Sequence, residues 1–139
     1  MLDARRLRMN EMQRIFRVQD RKGIGPYKPG FTVTWYDEDC RALQRPAFYT
    51  EFGTAIVGKI HLHSLNKFQC GCGFRTLEQL HAWFSNSELD KLFYFGYSIV
   101  TMVPDAILAE SEKQLVFARK TPFTKGCFIV ESADMLDVG

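Results

Sequence analysis

The alternation of apolar and polar positions predicts a first strand close to the start of the chain. Within residues 14–20, Phe16 and Val18 alternate with neighbours on a wetter face, which is the period-two pattern of a β-strand. Residues 22–30 contain three glycines and two prolines, so this segment is predicted to be a loop. The β-branched and aromatic run 31–36 then predicts a second strand.

The strongest local signal predicts a helix that begins after Thr76. The Thr76 hydroxyl can accept a hydrogen bond from the Gln79 amide while the Gln79 side chain reaches back, which is the spacing of a capping box. A second short helix is predicted to begin at Ser87 and to end at Gly96, a residue type that commonly terminates helices.

Extended segments are predicted on both sides of this helical pair. Those before it are 56–63 and 67–74, which are candidates to pair, and those after it are 97–103, 113–118 and 126–131. Strands, a helical pair and further strands in this order predict an α+β fold. We expect a small mixed, mostly antiparallel sheet with the central pair of short helices packed on it.

Length and composition set the expected domain organisation. With 139 residues, of which 46% are hydrophobic and 14% aromatic, the chain is long enough for one core and too apolar to be disordered. We expect a basic N-terminal arm or short helix over 1–12, one α+β domain over 13–132 and a frayed tail over 133–139. The sequence has no membrane-spanning stretch and no signal peptide, so we expect a cytoplasmic protein with reduced cysteines and no membrane partner.

Basic and aromatic residues supply a candidate partner-binding surface. Its basic members are Arg5, Arg6, Arg8 and Arg14, and its aromatic members are Tyr27, Trp35 and Tyr36. The arginines can contact phosphates or an acidic partner, or they form a solvated terminus. The aromatic residues either reach a partner or lie in the core. A formal net charge of +2 does not favour nucleic-acid binding as the main activity.

Four potential metal ligands occur as two close pairs, His61 with His63 and Cys70 with Cys72. Residues two apart on a strand share a face, so the pairs could present four donors to a zinc ion. Paired cysteines in structural zinc sites are usually separated by two or more residues, unlike these. We therefore expect no metal, with zinc as the alternative.

A cysteine nucleophile is another alternative. Cys72 precedes a predicted helix start, which favours the thiolate, and His81 lies within that helix. A buried and unreactive thiol is the more typical condition of a free cysteine.

Residues that can recognise phosphate and ribose occur early and late in the chain. Arg17 on the first predicted strand can pair with a phosphate, and Thr76 begins a helix whose first amides can receive an anion. If the late segment is extended, Glu110, Glu112 and Gln114 share a face, and a carboxylate there can hold a ribose hydroxyl. Together these residues indicate a nucleotide cleft.

Three blocks of the sequence, at 16–27, 73–84 and 113–117, resemble small uncharacterised proteins of phages and prophages. The resemblance implies a phage accessory protein. The main functional expectation is that it binds and inhibits a host defence protein without catalysis and without a cofactor, as anti-CRISPR proteins do.

The chain is also similar to the ADP-ribosyltransferase fold, which has an arginine on the first strand, a Ser/Thr motif at a helix start and a Glu-x-Glu near a late strand. This resemblance implies catalytic roles for Arg17, Thr76, Glu112 and Gln114, with NAD as cofactor. Gln114 stands where that family has its catalytic glutamate, and an amide cannot supply the negative charge that stabilises an oxocarbenium-like centre. The alternatives are an enzyme in which Glu110 or Glu112 takes this role, a protein that only binds NAD or another nucleotide, and, third, a nucleic-acid-binding protein.

Overall fold

The computed structural model describes residues 13–27, 30–36 and 48–133. The elements are β1 (Ile15–Gln19), α1 (Thr32–Trp35), α2 (Phe48–Phe52), α3 (Ala55–Leu65), β2 (Gln69–Gly73), α4 (Leu77–Trp83), α5 (Asn86–Tyr94), β3 (Ser98–Met102), β4 (Ala106–Glu110), β5 (Leu115–Arg119) and β6 (Cys127–Glu131). Not one of these helices has the length and apolar character needed to cross a bilayer. The predicted arm 1–12 and residues 134–139 of the predicted tail lie outside the described residues.

The strands form two three-stranded sheets, ordered β1-β3-β6 and β2-β5-β4. All neighbouring strands in them run antiparallel. A backbone bridge between Phe16 and Phe74 joins β1 to the residue after β2, with both N–H···O distances at 2.8 Å. The predicted α+β class and antiparallel pairing are confirmed, and the strands are divided between two sheets.

Three groups of buried side chains form the core. In the largest, Trp35 and Leu80 from the helices pack with Ile99 of β3. The second lies between the sheets, where Ile15 of β1 meets Phe117 of β5. The third lies under α3 and includes Val116 of β5. Because β5 is buried along its whole length and contributes to the second and third groups, it links the two sheets.

Both predicted helices are confirmed, and each has a capping box. Thr76 Oγ1 accepts from Gln79 N at 3.1 Å, and Gln79 Oε1 accepts from Thr76 N at 3.2 Å. The second helix, α5, begins one residue before the predicted Ser87, because Ser85 is its cap. Gly96 follows its last turn with φ +90°, a conformation that favours glycine.

Two segments predicted to be extended are helical. Residues 31–36 form the single turn α1, which buries Trp35 completely and lets its Nε1 donate to Pro26 O at 3.2 Å. Burial of this large aromatic side chain outweighs the strand propensity of the segment. Segment 56–63 lies within α3, where Ile56 and Ile60, four residues apart, both pack into the third core group.

The sequence analysis did not predict β4, which pairs with β5. Residues 111–114 form the turn between them, where Ser111 N donates to Gln114 O at 2.8 Å. The prediction that Glu110, Glu112 and Gln114 share one extended face is therefore wrong, because the chain reverses direction between them.

Candidate functional site

A half-open cleft of about 260 Å³ lies where β1, β2 and the loop after β1 meet the end of α4. The lining includes Arg17, Gly71 and Cys72 from the strands, Tyr27 from the loop, Trp83 from α4, and Gln114. Among the described lining residues, Arg17 carries the one full charge, and most of the rest are apolar or aromatic. The cleft therefore combines a cation with aromatic walls.

Arg17 lies at the base of the cleft and is 9% exposed. Its Nε donates to Gln19 Oε1 at 3.1 Å, its Nη1 to Cys72 O at 2.8 Å and its Nη2 to Gly23 O at 3.3 Å. The guanidinium also lies 4.9 Å from the centre of the Phe123 ring. Since a guanidinium has five N–H donors, two have no protein acceptor in the described part of the chain.

Among the described residues, no carboxylate is hydrogen-bonded to Arg17 or forms an ion pair with it at contact distance. Burial lowers the pKa of Arg17, and the nearby Cys72 and Asp20 act in the opposite direction. An arginine remains charged at neutral pH even so. Because no carboxylate contacts the guanidinium directly, an anion in the cleft would add a favourable charged contact.

Glycine at position 71 allows β2 to approach the guanidinium closely. A Cβ on Gly71 would lie 2.9 Å from both Arg17 Nη1 and Phe123 Cε2. At Gly25, on the loop side, a Cβ would lie 3.4 Å from Arg17 Nη2, at the edge of ordinary contact. Sequence reasoning missed Gly71, although a glycine inside a strand often marks such a close approach.

Tyr27 and Trp83 form the aromatic wall of the cleft. Trp83 Nε1 donates to the Tyr27 hydroxyl at 2.8 Å, and the Tyr27 ring packs edge-on against Trp35 with centroids 5.3 Å apart. Tyr27 is nevertheless 52% exposed. Trp83 also lines a neighbouring cavity of about 220 Å³, together with Glu112 and other residues. Trp83 therefore borders both cavities.

Gln114 lines the cleft, and its side chain is hydrogen-bonded to Glu51. Glu51 was not predicted from the sequence. Gln114 Nε2 donates to Glu51 Oε1 at 2.6 Å, and Ser111 Oγ donates to Glu51 Oε2. No local pattern could reveal this contact, because 63 positions separate Gln114 from Glu51.

The four residues predicted as catalytic do not meet at one point. Arg17 and Gln114 line the same cleft, whereas Glu112 lines the neighbouring cavity. Thr76 is exposed, lines neither cavity and uses its hydroxyl to cap α4. Glu110 is bound by Arg75 at 2.6 and 3.0 Å, and these hydrogen bonds lower the pKa of the Glu110 carboxyl.

The surroundings of Cys72 do not favour a nucleophile. Burial raises the pKa of its thiol to about 11, although the Arg17 guanidinium lowers it and Glu51 raises it further. The thiol is therefore protonated at neutral pH, and the thiolate is the reactive form. The Nε2 atom of His81, the residue considered as a base for Cys72, lies 3.2 Å from Glu131 Oε1.

The zinc alternative loses its geometric basis because His61 and His63 lie on helix α3 and not on a strand. Residues two apart on a helix point to different sides. His63 Nδ1 is 2.9 Å from Lys59 O, while Cys70 on β2 has its Sγ 4.0 Å from Ile60 O. In the described ranges, no three His, Cys, Asp or Glu side chains are grouped to hold a metal ion.

The candidate partner-binding residues have different surroundings. Trp35 is completely buried, so its prediction as a partner contact is wrong. Tyr36 is half-buried, and half-buried Arg14 lies 5.9 Å from the centre of the Phe128 ring. Arg5, Arg6 and Arg8 lie outside the described residues.

The sequence matches a family of bacteriophage proteins over residues 9–125. That family is the bacteriophage T4 Y00F protein family, and the chain belongs to it. The resemblance to phage proteins is confirmed to this extent. Neither the curated proteins nor the solved structures contain a significant match, and no comparison shows similarity to ADP-ribosyltransferases.

Proposed function

We propose that this phage protein acts by binding and that the Arg17 cleft takes a nucleotide-like ligand. The observation that carries the proposal is the buried Arg17 guanidinium, which lines an aromatic cleft and has no carboxylate in direct contact among the described residues. A guanidinium pairs with phosphate through charge-assisted hydrogen bonds. Aromatic side chains such as Tyr27 and Trp83 offer contact surfaces for a base.

The size of the cleft favours a compact ligand. Its volume of about 260 Å³ suits a nucleoside monophosphate better than a whole dinucleotide. The neighbouring cavity, which shares Trp83, gives a dinucleotide such as NAD room for its second half. A monophosphate is therefore the minimal ligand, and NAD is a larger relative of the same class.

The chemistry of the lining supports binding without group transfer. Acid–base and nucleophilic catalysis require a group that can lose or gain a proton near the operating pH. Besides Arg17, the described lining offers the Cys72 thiol, whose pKa burial raises to about 11, the uncharged amide of Gln114 and the Tyr27 hydroxyl, which accepts from Trp83 Nε1. The described lining includes no carboxylate and no imidazole to act as the base.

The proposal is tested by titration calorimetry with AMP and with NAD. We expect saturable binding of AMP to the wild-type protein and affinity at least about tenfold weaker for Arg17→Met, because the phosphate loses a charge-assisted bond. Arg75→Met is the matched control, because it removes an equally charged side chain whose bonds go to Glu110 outside the cleft. Absence of binding at millimolar nucleotide, or equal affinity of Arg17→Met and wild type, would contradict the proposal.

A second candidate function is inhibition of a host defence protein through sheet extension. In the described residues β6 is one of the two edge strands of its sheet, and its Phe128 and Ile129 are 65% and 55% exposed. An exposed apolar edge strand can pair with a strand of a partner.

Affinity purification from a host lysate tests this candidate. We expect a host protein that the wild type retains to be lost with the double variant Phe128→Thr, Ile129→Thr. Tyr94→Thr is the matched control, because Tyr94 is 84% exposed on α5 and lies outside the edge strand. Retention of the same proteins by all three forms would rule out the edge as the contact.

A further inference from the structure

Gln114 is buried at the cleft, and its amide group has a defined orientation. The side chain is 7% exposed, and its Nε2 donates to Glu51 Oε1 at 2.6 Å. An ionised carboxylate can only accept hydrogen bonds. The nitrogen of the Gln114 amide, and not its oxygen, must therefore face Glu51.

Ser111 strengthens this orientation. Its Oγ accepts from the backbone amides of Lys113 at 3.0 Å and Gln114 at 3.2 Å, and it donates to Glu51 Oε2, with Gln114 O as a second acceptor at 3.2 Å. Both oxygens of Glu51 thus act as acceptors towards donors from the β4–β5 turn.

The orientation leaves the amide oxygen of Gln114 for the cleft. No hydrogen bond reaches Gln114 Oε1 from the described residues, and the atom is not among the buried, unsatisfied polar atoms, so it keeps contact with open space. Gln114 is one of the residues that line the cleft, and this is the space that we assign to its amide oxygen. The cleft therefore contains N–H donors from Arg17 and an acceptor from Gln114.

From these contacts we infer that Gln114, oriented by Glu51, selects ligands whose aromatic ring carries an N–H donor. The inference rests on the proposed binding of nucleotides in this cleft. The phosphate of the ligand binds Arg17, and an amino group on its base donates to Gln114 Oε1. Because the same cleft has aromatic walls, the donor belongs to the ring that contacts them. The ligand class is an amino-substituted purine nucleotide, of which AMP is the simplest probe.

A matched pair of nucleotides tests the selection. AMP is compared by calorimetry with purine riboside 5′-monophosphate, which has the same phosphate, sugar and ring system but lacks the amino group. We expect the wild type to prefer AMP by about tenfold, since the analogue leaves a polar group of the site unpaired. Gln114→Met, similar in length and without the acceptor, should bring the ratio of the two affinities close to one.

A second variant keeps the test valid if Gln114→Met fails to fold. Glu51→Gln leaves Gln114 in place but lets its amide face either way, so the ratio should also fall towards one. A structural role alone would change both affinities together and leave their ratio unchanged. Equal binding of both nucleotides by the wild type, or an unchanged ratio in both variants, overturns the selection while the Arg17 cleft remains a nucleotide site. Absence of binding by either nucleotide overturns both.

Discussion

Two buried arginines, Arg17 and Arg119, occupy different surroundings in the two sheets. They are 9% and 6% exposed, and neither forms an ion pair in the part of the chain that is described. Arg119 donates to four backbone carbonyls, those of Val103 at 3.1 Å, Pro122 at 2.9 Å, Lys125 at 2.7 Å and Gly126 at 3.0 Å. Arg17 makes three hydrogen bonds, and its remaining donors lie at a cleft.

The difference separates a structural arginine from one suited to a ligand. Arg119 uses four of its five donors, three on the β5–β6 connection and one on Val103 after β3, so little of its hydrogen-bonding capacity is left. Arg17 is equally buried but less completely bonded, and its neighbours include open space. Functional sites are typical places for a buried polar side chain to keep hydrogen-bond donors without a protein acceptor.

The largest expected effect comes from removing each arginine in turn. Arg119→Met should lower the free energy of unfolding by about 3 kcal/mol or more, because it deprives four part-buried carbonyls of a charged donor. Arg17→Met should cost about 1 kcal/mol, since it frees fewer acceptors and water in the cleft can reach them. Urea denaturation followed by circular dichroism measures both values. Equal losses would remove the distinction between the two sites.

The next effect concerns the glycines beside Arg17. Gly71→Ala should lower the free energy of unfolding by about 1 to 2 kcal/mol, because the new methyl group meets both Arg17 and Phe123 at 2.9 Å. Gly25→Ala, whose methyl group lies 3.4 Å from the guanidinium, should change it by less than about 0.5 kcal/mol. Thermal denaturation of the two variants provides the measurement. If Gly25→Ala proves as costly as Gly71→Ala, the close approach of β2 is not what constrains Arg17.

Local signals predicted much of the fold. The capping boxes at Thr76 and Ser85 depend on residues three positions apart, and the first box was readable from the sequence. The segment around Trp35 was not, because its strand propensity is reversed by burial against residues distant in sequence. Helix α3 was missed because apolar residues four apart also fit an extended segment on one face.

Some residues of the candidate site could be predicted from the sequence, but their arrangement could not. Arg17 and Gln114 were both predicted, and they do line one cleft. The extended face considered for Glu110, Glu112 and Gln114 is not formed, because the chain reverses direction between Glu110 and Gln114. Glu51 and Gly71 were missed because their roles exist only once distant segments meet, as when Arg17 bonds to Cys72, 55 positions away.

The smallest expected effect is a pH dependence that arises beside Arg17. Burial raises the pKa of the Cys72 thiol to about 11, compared with roughly 8.5 for an unperturbed cysteine. Between these values the unfolded chain releases the thiol proton and the folded chain keeps it, so stability is complete below the lower value and falls as pH rises. The expected loss is about 1 kcal/mol between roughly pH 8.5 and 9.5.

Other groups titrate in the same range, so the loss must be read as a difference between the wild type and Cys72→Ala in urea denaturation at several pH values. Equal pH slopes for these two proteins would contradict a raised thiol pKa. We expect Arg17→Met and Arg119→Met to change this pH dependence differently. The positive charge of Arg17 lowers the pKa of Cys72, so Arg17→Met should extend the Cys72-dependent loss of stability to higher pH. Arg119→Met should leave this difference unchanged, because Arg119 is not among the groups that shift the pKa of Cys72.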